Sequence, residues 1–549
     1  MKRRNDTRYL LFSINPLARK KVLSIRREGR LLLDLELRLD AVHPVSEVAV
    51  DVGRFGEGEL EITCDPAMEI PMRASDDPAW PADLYREVLR PHARFTARRG
   101  WINDPNGLVF HQEMYHLFFQ YNPVGTDWGN MHWGHATSRD LIFWEEHDIA
   151  LFPDEAGTMF SGSAIVDEDN RLGLNTADQT AIVLFYTCAG NTSVLSMGKP
   201  FTQNIAYSLD GGHTFVKHPA NPVIPQLCDG NRDPKVLRSP GGGYVMALYL
   251  EGNTYALLHS ENLTEWTLLQ KIDLPEDTEC PDFYPLTTPD GDVRWVLGGA
   301  ADRYLVGHFD GTRFVPEGPA EKLHYGTHAY AAQSWSDLPA SDGRRIRIAW
   351  NTFDLPGMAF NRSMTFPTEM SLRRDGDRWR LCATPVREIA KLRRNAHALP
   401  AFTVDPGMPF TLPVNMCAYD VSLIIECAAP DTMEPPAREA ATPVANSMKP
   451  SIEAGFILKL FGIELLCDAD KRELRCQNSI VPMPDDASVM TLRLLVDVSG
   501  MEVFLDGGSR WLSMGMVADW NLDRLELVAQ GRPARVRRLE VAELGNIWE

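Results

Sequence analysis

Residues 101 to 108 read Trp101-Ile102-Asn103-Asp104-Pro105-Asn106-Gly107-Leu108. Pro105 fixes its own backbone angle and biases Asp104 away from helix, while Gly107 permits a sharp exit. The result is a rigid perch for one carboxylate. Asn, Asp, Pro and Gly also build ordinary Asx turns for purely local reasons, so the stretch takes its meaning from its flanks. Trp101 stands just before the turn, and the apolar run Leu108-Val109-Phe110 follows it. The next strand, Tyr115 to Tyr121, carries Gln120 amid aromatics.

Working outward, an internal repeat sets the architecture. Ser138-Arg139-Asp140-Leu141-Ile142-Phe143-Trp144 is echoed by Ser260-Glu261-Asn262-Leu263-Thr264-Glu265-Trp266. Ser208-Leu209-Asp210-Gly211-Gly212-His213-Thr214-Phe215 is a looser copy, and Phe309-Asp310-Gly311-Thr312-Arg313-Phe314 repeats the latter half. In each, a β-rich run leads into a polar turn and an aromatic starts the next strand. Recurrence at ~50 to 70 residues with short strands is the pattern of propeller blades, small antiparallel sheets that need neighbours to bury their faces. The repeat supports a blade-like array and leaves the number of blades open.

Before the repeat, Leu33 to Leu39, Glu47 to Val52 and Glu59 to Thr63 alternate apolar and polar residues, the pattern of half-buried strands. Residues 1–88 therefore read as a small β-rich module, packed on the next domain or serving an interface, with Pro78 to Pro81 in the join. The array occupies residues 89–395 and ends at Val386, Ile389, Ala390 and Leu392, enough for an amphipathic turn or two. Strand-like runs return at Val421 to Cys427, Ala454 to Phe461, Met490 to Val498, Met501 to Leu505 and Leu525 to Ala529, so residues 396–549 read as a β-sandwich. Its Pro- and Ala-rich segment, Ala428 to Ser451, reads as a mobile surface loop.

Composition narrows the partners. A formal net charge of −20 argues against nucleic acid and anionic membranes, and suits a neutral substrate. Nine cysteines without a Cys-x-x-Cys pair fit reduced thiols better than a disulfide framework. The apolar group Tyr9 to Ile14 is too short for a signal peptide core, which makes the cytoplasm the expected location. No apolar run approaches membrane-spanning length. His132 and His135 lack a nearby third ligand type and are expected to pack and hydrogen-bond, so no metal or cofactor is expected.

Two further acidic motifs are to be set beside the first. Beside Asp104 stand Arg232-Asp233-Pro234 and Glu279-Cys280-Pro281-Asp282. Taken alone, Asp233 reads as an ion-paired turn residue and Glu279 as part of a solvated acidic loop. Together, with Trp128-Gly129-Asn130, Trp133-Gly134-His135, Phe160-Ser161-Gly162-Ser163, Tyr330-Ala331-Ala332-Gln333 and the Met364 to Pro367 strand, they resemble glycoside hydrolase family 32, which contains invertases, levanases and inulinases. The resemblance is dense over roughly residues 90 to 395 and weaker beyond.

The resemblance implies an all-β protein with a five-bladed propeller and a carboxy-terminal β-sandwich. It implies a retaining β-fructosidase acting on terminal fructose of sucrose, fructo-oligosaccharides or fructans such as levan and inulin. Asp104 would be the nucleophile, Glu279 the acid and then base, and Asp233 the group that binds hydroxyls and stabilises the transition state. Trp128, Phe160 and Ser161 would line the pocket, and the family uses no metal. Such hydrolysis needs two carboxyl groups on opposite sides of the reacting carbon. Propeller geometry supplies them, since innermost strands line one channel. Asn103, Gln120 and Arg232 are placed to bind hydroxyls, and Phe360 to stack on the sugar. Cys280 is expected to pack around Glu279 rather than act as a nucleophile.

Two departures stand out. Phe360-Asn361-Arg362 replaces the family's usual Trp-Arg-Gly, and Thr368 replaces an Arg. Arg362 in place of glycine is expected to crowd the pocket rim and favour short substrates. Two other readings stay open: an inert fructan-binding or regulatory protein on the same scaffold, which would be expected to lose one of the acids, and an arabinose-directed propeller glycosidase, which would not require the Trp101 to Gly107 motif.

Overall fold

Five sheets, each built on four antiparallel strands and three of them carrying a short fifth strand, succeed one another along the chain as blades of a propeller, with the innermost of the four first in each. The innermost strands are Gly100–His111, Thr158–Val166, Arg232–Arg238, Asp282–Thr287 and Tyr330–Ser334. The computed structural model describes residues 2–414, 417–426, 454–483, 489–517, 519 and 521–549. The segment read as a mobile loop, 428–451, lies outside the described residues.

The repeated motif is the turn between the third and outermost strands of a blade. Asp140 Oδ1 accepts the amides of Ile142 and Phe143, and Asn262 Oδ1 accepts those of Thr264 and Glu265. Leu141 and Leu263 take matching left-handed φ values of 65° and 66°. Trp144 and Trp266 then donate their indole N–H to the Leu141 and Leu263 carbonyls, both at 3.1 Å. The tryptophan so placed packs onto neighbouring structure, Trp144 against Phe95 and Trp335, and Trp266 against Phe185. One sequence pattern thus performs two tasks, ending a strand and binding a blade to its surroundings.

Before the propeller lie two small sheets. One has the order Lys2–Asn5, Gly58–Asp65, Lys21–Arg27, Arg30–Leu37; the other has Ser46–Asp51, Tyr9–Ile14, Met72–Ser75. Their apolar core takes in Val124 from the first blade. After the propeller a short 3-10 helix, Arg387–Leu392, buries Ile389 and Leu392 and leads into a sandwich of a seven-stranded and a six-stranded sheet. Leu495, Phe504, Trp511, Leu544 and Ile547 of the sandwich share a core with the propeller. The histidines pack as the sequence suggests. His135 is buried, with Nε2 3.0 Å from His116 Nδ1 and its ring stacked on Phe118, and burial depresses the pKa of both. His132 is buried with Nδ1 2.5 Å from the Asn130 carbonyl oxygen.

Gly107 shows why the opening stretch cannot tolerate a side chain. Its φ is +54°, and an added Cβ would lie 2.6 Å from the Phe118 ring. Gly107→Ala therefore combines left-handed strain with a clash in a closed core, and should lose about 2–4 kcal/mol. A clear drop in the urea midpoint of the propeller transition is the expected result.

Candidate active site

The innermost strands are irregular at corresponding positions. Bulges fall between Ile102 and Pro105, Phe160 and Gly162, Arg232 and Lys235, and Tyr330 and Gln333. A bulge frees a residue from its ladder and re-aims its side chain. Asp233, Glu279, Cys280 and Ala331 have φ values of 66°, 43°, 42° and 53°. Non-glycine residues rarely adopt this region, and such strain collects at functional sites.

The side chains so aimed converge. Ser161 from blade two donates to Asp104 Oδ2 from blade one at 2.6 Å. Asp233 from blade three accepts the Cys280 amide on Oδ2 at 3.0 Å, and its own amide donates to Thr187 Oγ1 at 2.9 Å. The Cys280 sulfur lies 3.6 Å from Asp104 Oδ2 and 3.5 Å from Asp233 Oδ2, so one residue spans both aspartates. Glu279 precedes blade four and sits nearer the mouth, 29% exposed against 3% for Asp233. Arg232 Nε and Nη2 donate to Glu279 Oε2 at 3.1 and 2.9 Å, while the Tyr330 hydroxyl from blade five donates to Oε1. Every blade therefore contributes to the cluster.

Charge follows from this crowding. Burial raises the Asp104 pKa, with Glu279 adding repulsion, against opposing hydrogen bonds from Ser161 and Asn103. Burial also pushes Asp233 up to about 7; Arg232 opposes this and the other two acids reinforce it. Two residues beyond Asp233, buried Lys235 pairs with Asp282 at 3.0 Å and donates to the Ser334 carbonyl at 2.5 Å. Lys235, Asp282 and Ser334 come from three different blades and are all buried, so these innermost strands are tied to one another beyond the acids.

Among the other expected binding residues, Asn103 is buried and accepts the Trp101 indole N–H at 3.1 Å. Gln120 is buried and donates to the Met159 carbonyl at 2.8 Å, tying blade one to the strand that carries Ser161. Trp128 is 52% exposed and meets half-buried Phe160 edge-on at 6.0 Å, forming an aromatic rim. Phe360 requires a correction. It is 1% exposed with the Arg90 guanidinium 3.5 Å from its ring centroid, so its face is taken and it offers a sugar no platform. Arg362 also differs from expectation. Its guanidinium lies over Trp101 at 4.6 Å and pairs with Asp354 at 3.0 Å, so it packs into the wall instead of crossing the rim. Its φ of 74° is one that glycine adopts freely.

Sequence reasoning assigned no role to Tyr330, although it quoted the segment. Nothing local marks this tyrosine as a partner of Glu279, 51 residues away. Tyr249, whose ring carries the Arg232 guanidinium at 4.5 Å, was missed for the same reason.

Comparison with known proteins bears on this geometry. Residues 94–385 match the model of the glycosyl hydrolases family 32 N-terminal domain. The chain is 32% identical over 500 residues to a levanase of Bacillus subtilis (strain 168), covering 85% of this chain and 72% of that one. Among solved structures, exo-inulinase from Aspergillus awamori superposes with a TM-score of 0.73 at 24% identity, over 84% of this chain and all of the other. A variant of fructan 1-exohydrolase IIa from Cichorium intybus, in complex with 1-kestose, superposes with a TM-score of 0.67 at 22% identity, over 84% and 98%. These structural likenesses establish the five-bladed propeller followed by a β-sandwich.

Burial and three neighbouring carboxylates hold the Cys280 thiol well above its ordinary pKa. Since the thiolate is the reactive form, Cys280 in the native protein should resist iodoacetamide at pH 8 and react fully in denaturant. Peptide mass spectrometry reads the difference directly.

Proposed function

The chain belongs to glycosyl hydrolase family 32, a glycoside hydrolase of the β-fructofuranosidase type, and on that premise we propose that it is a retaining, end-acting β-fructosidase. The observation that carries the reading is the convergence of Asp104, Asp233 and Glu279 from three parts of the ring upon one pocket, the two aspartates bridged by Cys280.

In the proposed mechanism the ionised Asp104 attacks the anomeric carbon of a terminal β-fructosyl unit. A bond forms from its oxygen to that carbon, the glycosidic carbon–oxygen bond breaks, and Glu279 gives its proton to the departing sugar. Water then adds to the carbon from the same side, Glu279 takes its proton, and the Asp104 ester is released. Tyr330 and Arg232 hold both oxygens of Glu279, fixing its direction. In this reading Asp233 binds fructose hydroxyls, and Trp128 with Phe160 presents apolar faces to the sugar. The names of the relatives, levanase, exo-inulinase and fructan 1-exohydrolase, support fructans as the substrate class. Two of these names, exo-inulinase and fructan 1-exohydrolase, support action at chain ends.

Asp104→Asn and Glu279→Gln remove the attacking and proton-transferring groups with little change in size. Each should cut fructose release from sucrose by about 100- to 10,000-fold while leaving the fold intact. A Glu279→Gln enzyme that keeps more than about a tenth of the rate shows that another group is the acid.

Burial raises the Asp104 pKa and the nucleophile must be ionised, so activity should fall with decreasing pH at a point above the ordinary aspartate range. A pH–rate profile for kcat/KM on sucrose locates that limb. Early-time NMR should find the first fructose released in the β form; inversion excludes the covalent mechanism. Product sizing on levan and inulin should show free fructose from the first time points, whereas early oligosaccharides without it exclude end action.

A further inference from the structure

We propose that the amino-terminal module is a wall of the active site, positioning the aromatic rim through its edge strand Arg30–Leu37 and thereby governing the binding of sugar units beyond the terminal fructose. The inference rests on the fructosidase reading above. It starts from an exposed edge. Arg30–Leu37 pairs within its sheet only to Lys21–Arg27, which leaves a row of backbone groups without a sheet partner. Such edges are covered or blunted in stable proteins.

Here the propeller covers the edge at the rim. Asn130 Oδ1 accepts the Glu36 amide at 2.8 Å, and Asn130 Nδ2 donates to the Glu36 carbonyl at 2.9 Å, so one side chain continues the sheet for a residue. Lys20 Nζ lies 3.4 Å from the Trp128 carbonyl and 3.2 Å from Asp127, which Arg38 also grips at 2.9 Å. The loop that presents Trp128 is thus held on both sides by the module. Two residues back along the same strand, Asp34 accepts the amides of Val194 and Leu195 on its two carboxylate oxygens, both at 2.9 Å.

These two loops flank one aromatic row. Trp128 meets Phe160, and Phe160 meets Phe201 at 5.6 Å. The Thr192 hydroxyl joins that of Thr158 at 2.8 Å, two residues before Phe160. Phe160 is followed by Ser161, the hydroxyl on Asp104, so the row starts at the nucleophile and runs outward. In the loop that Asp34 holds, Val194 is 44% and Met197 71% exposed, and exposed apolar side chains of this kind suit the faces of sugar rings. The family match begins at residue 94, so this wall is built by a part of the chain outside it.

The test uses the full chain. Asp34→Ala and Lys20→Ala each remove contacts to one rim loop from partly exposed positions. The expected result is a KM for a fructo-oligosaccharide of four or more units raised on the order of tenfold, the loss of roughly one charge-assisted contact. The kcat on sucrose should stay within about twofold, and the thermal midpoint should hold. Asp34→Asn, which keeps one acceptor oxygen, should fall between wild type and Asp34→Ala, a graded rescue that a general structural defect does not give. Unchanged KM on the long substrate, or an equal loss on sucrose and oligosaccharide, overturns the inference while an active wild type leaves the fructosidase reading standing. Wild-type protein that releases no fructose from either substrate overturns that reading and this one together.

Discussion

Carboxylates gathered within a few ångströms in a partly buried pocket repel one another, and desolvation compounds the cost. Arg232 is the counter-charge on which this cluster depends. It lies 2.9 Å from Glu279 and 3.7 Å from Asp233, its Nη1 donates to the Gly230 carbonyl, and the Tyr249 ring lies against its face. A guanidinium so fixed sets the direction of Glu279. It also opposes, without cancelling, the burial that pushes Asp233 up to about 7. The contrast with Asp104 is informative. That aspartate has no cation in contact among the described residues and relies on the Ser161 hydroxyl, the Asn103 amide and the Cys280 thiol, neutral donors that leave its charge available for attack.

Such a cluster needs parts that are far apart in sequence yet rigidly placed, and the ring provides them. A propeller brings one strand per blade to the axis, but a regular strand would alternate its side chains between faces and pair all its backbone groups. The bulges near Asp104, Ser161, Asp233 and Tyr330 break that regularity where chemistry requires it. The left-handed backbone at Asp233, Glu279 and Cys280 is stored strain of the same origin. It persists because the surroundings over-determine it: the Asp233 amide is bound by Thr187, the Cys280 amide by Asp233, and the Glu279 carbonyl by Tyr255.

This division explains what could be read from the sequence. The blades were legible because their turn motif recurs and its Asp or Asn, Leu and Trp act within a few residues of one another. The strands of the module and of the sandwich were legible from alternation. The three acids were legible only jointly, through resemblance, since each has an ordinary local reading. Tyr330 and Tyr249 acquire their roles through contacts made across blades, and no local pattern encodes those. Phe360 was misplaced for a related reason. An aromatic beside the motif suggested stacking on substrate, but Arg90, 270 residues earlier, reaches its face first.

The domains outside the ring belong to the same argument, because a site assembled from five strands is only as fixed as the ring's closure. Blade five is pressed into place from the sandwich side: the amides of Tyr325, Thr327 and His328 donate to the carbonyls of Trp511 and Ser513, just ahead of Tyr330. At the other end of the propeller chain, the amides of His92 and Ala93 bind Asp497 of the sandwich, and fully buried Arg94 lies 3.8 Å from the same carboxylate. The sandwich therefore grips both the first segment entering the propeller and the last blade. Pulling the entering segment away from the sandwich would part buried Arg94 from buried Asp497, and breaking a buried ion pair costs on the order of 3–5 kcal/mol. The ring is thus closed by a second domain rather than by its own blades alone, and the geometry at Asp104 and Glu279 inherits its rigidity from that clamp.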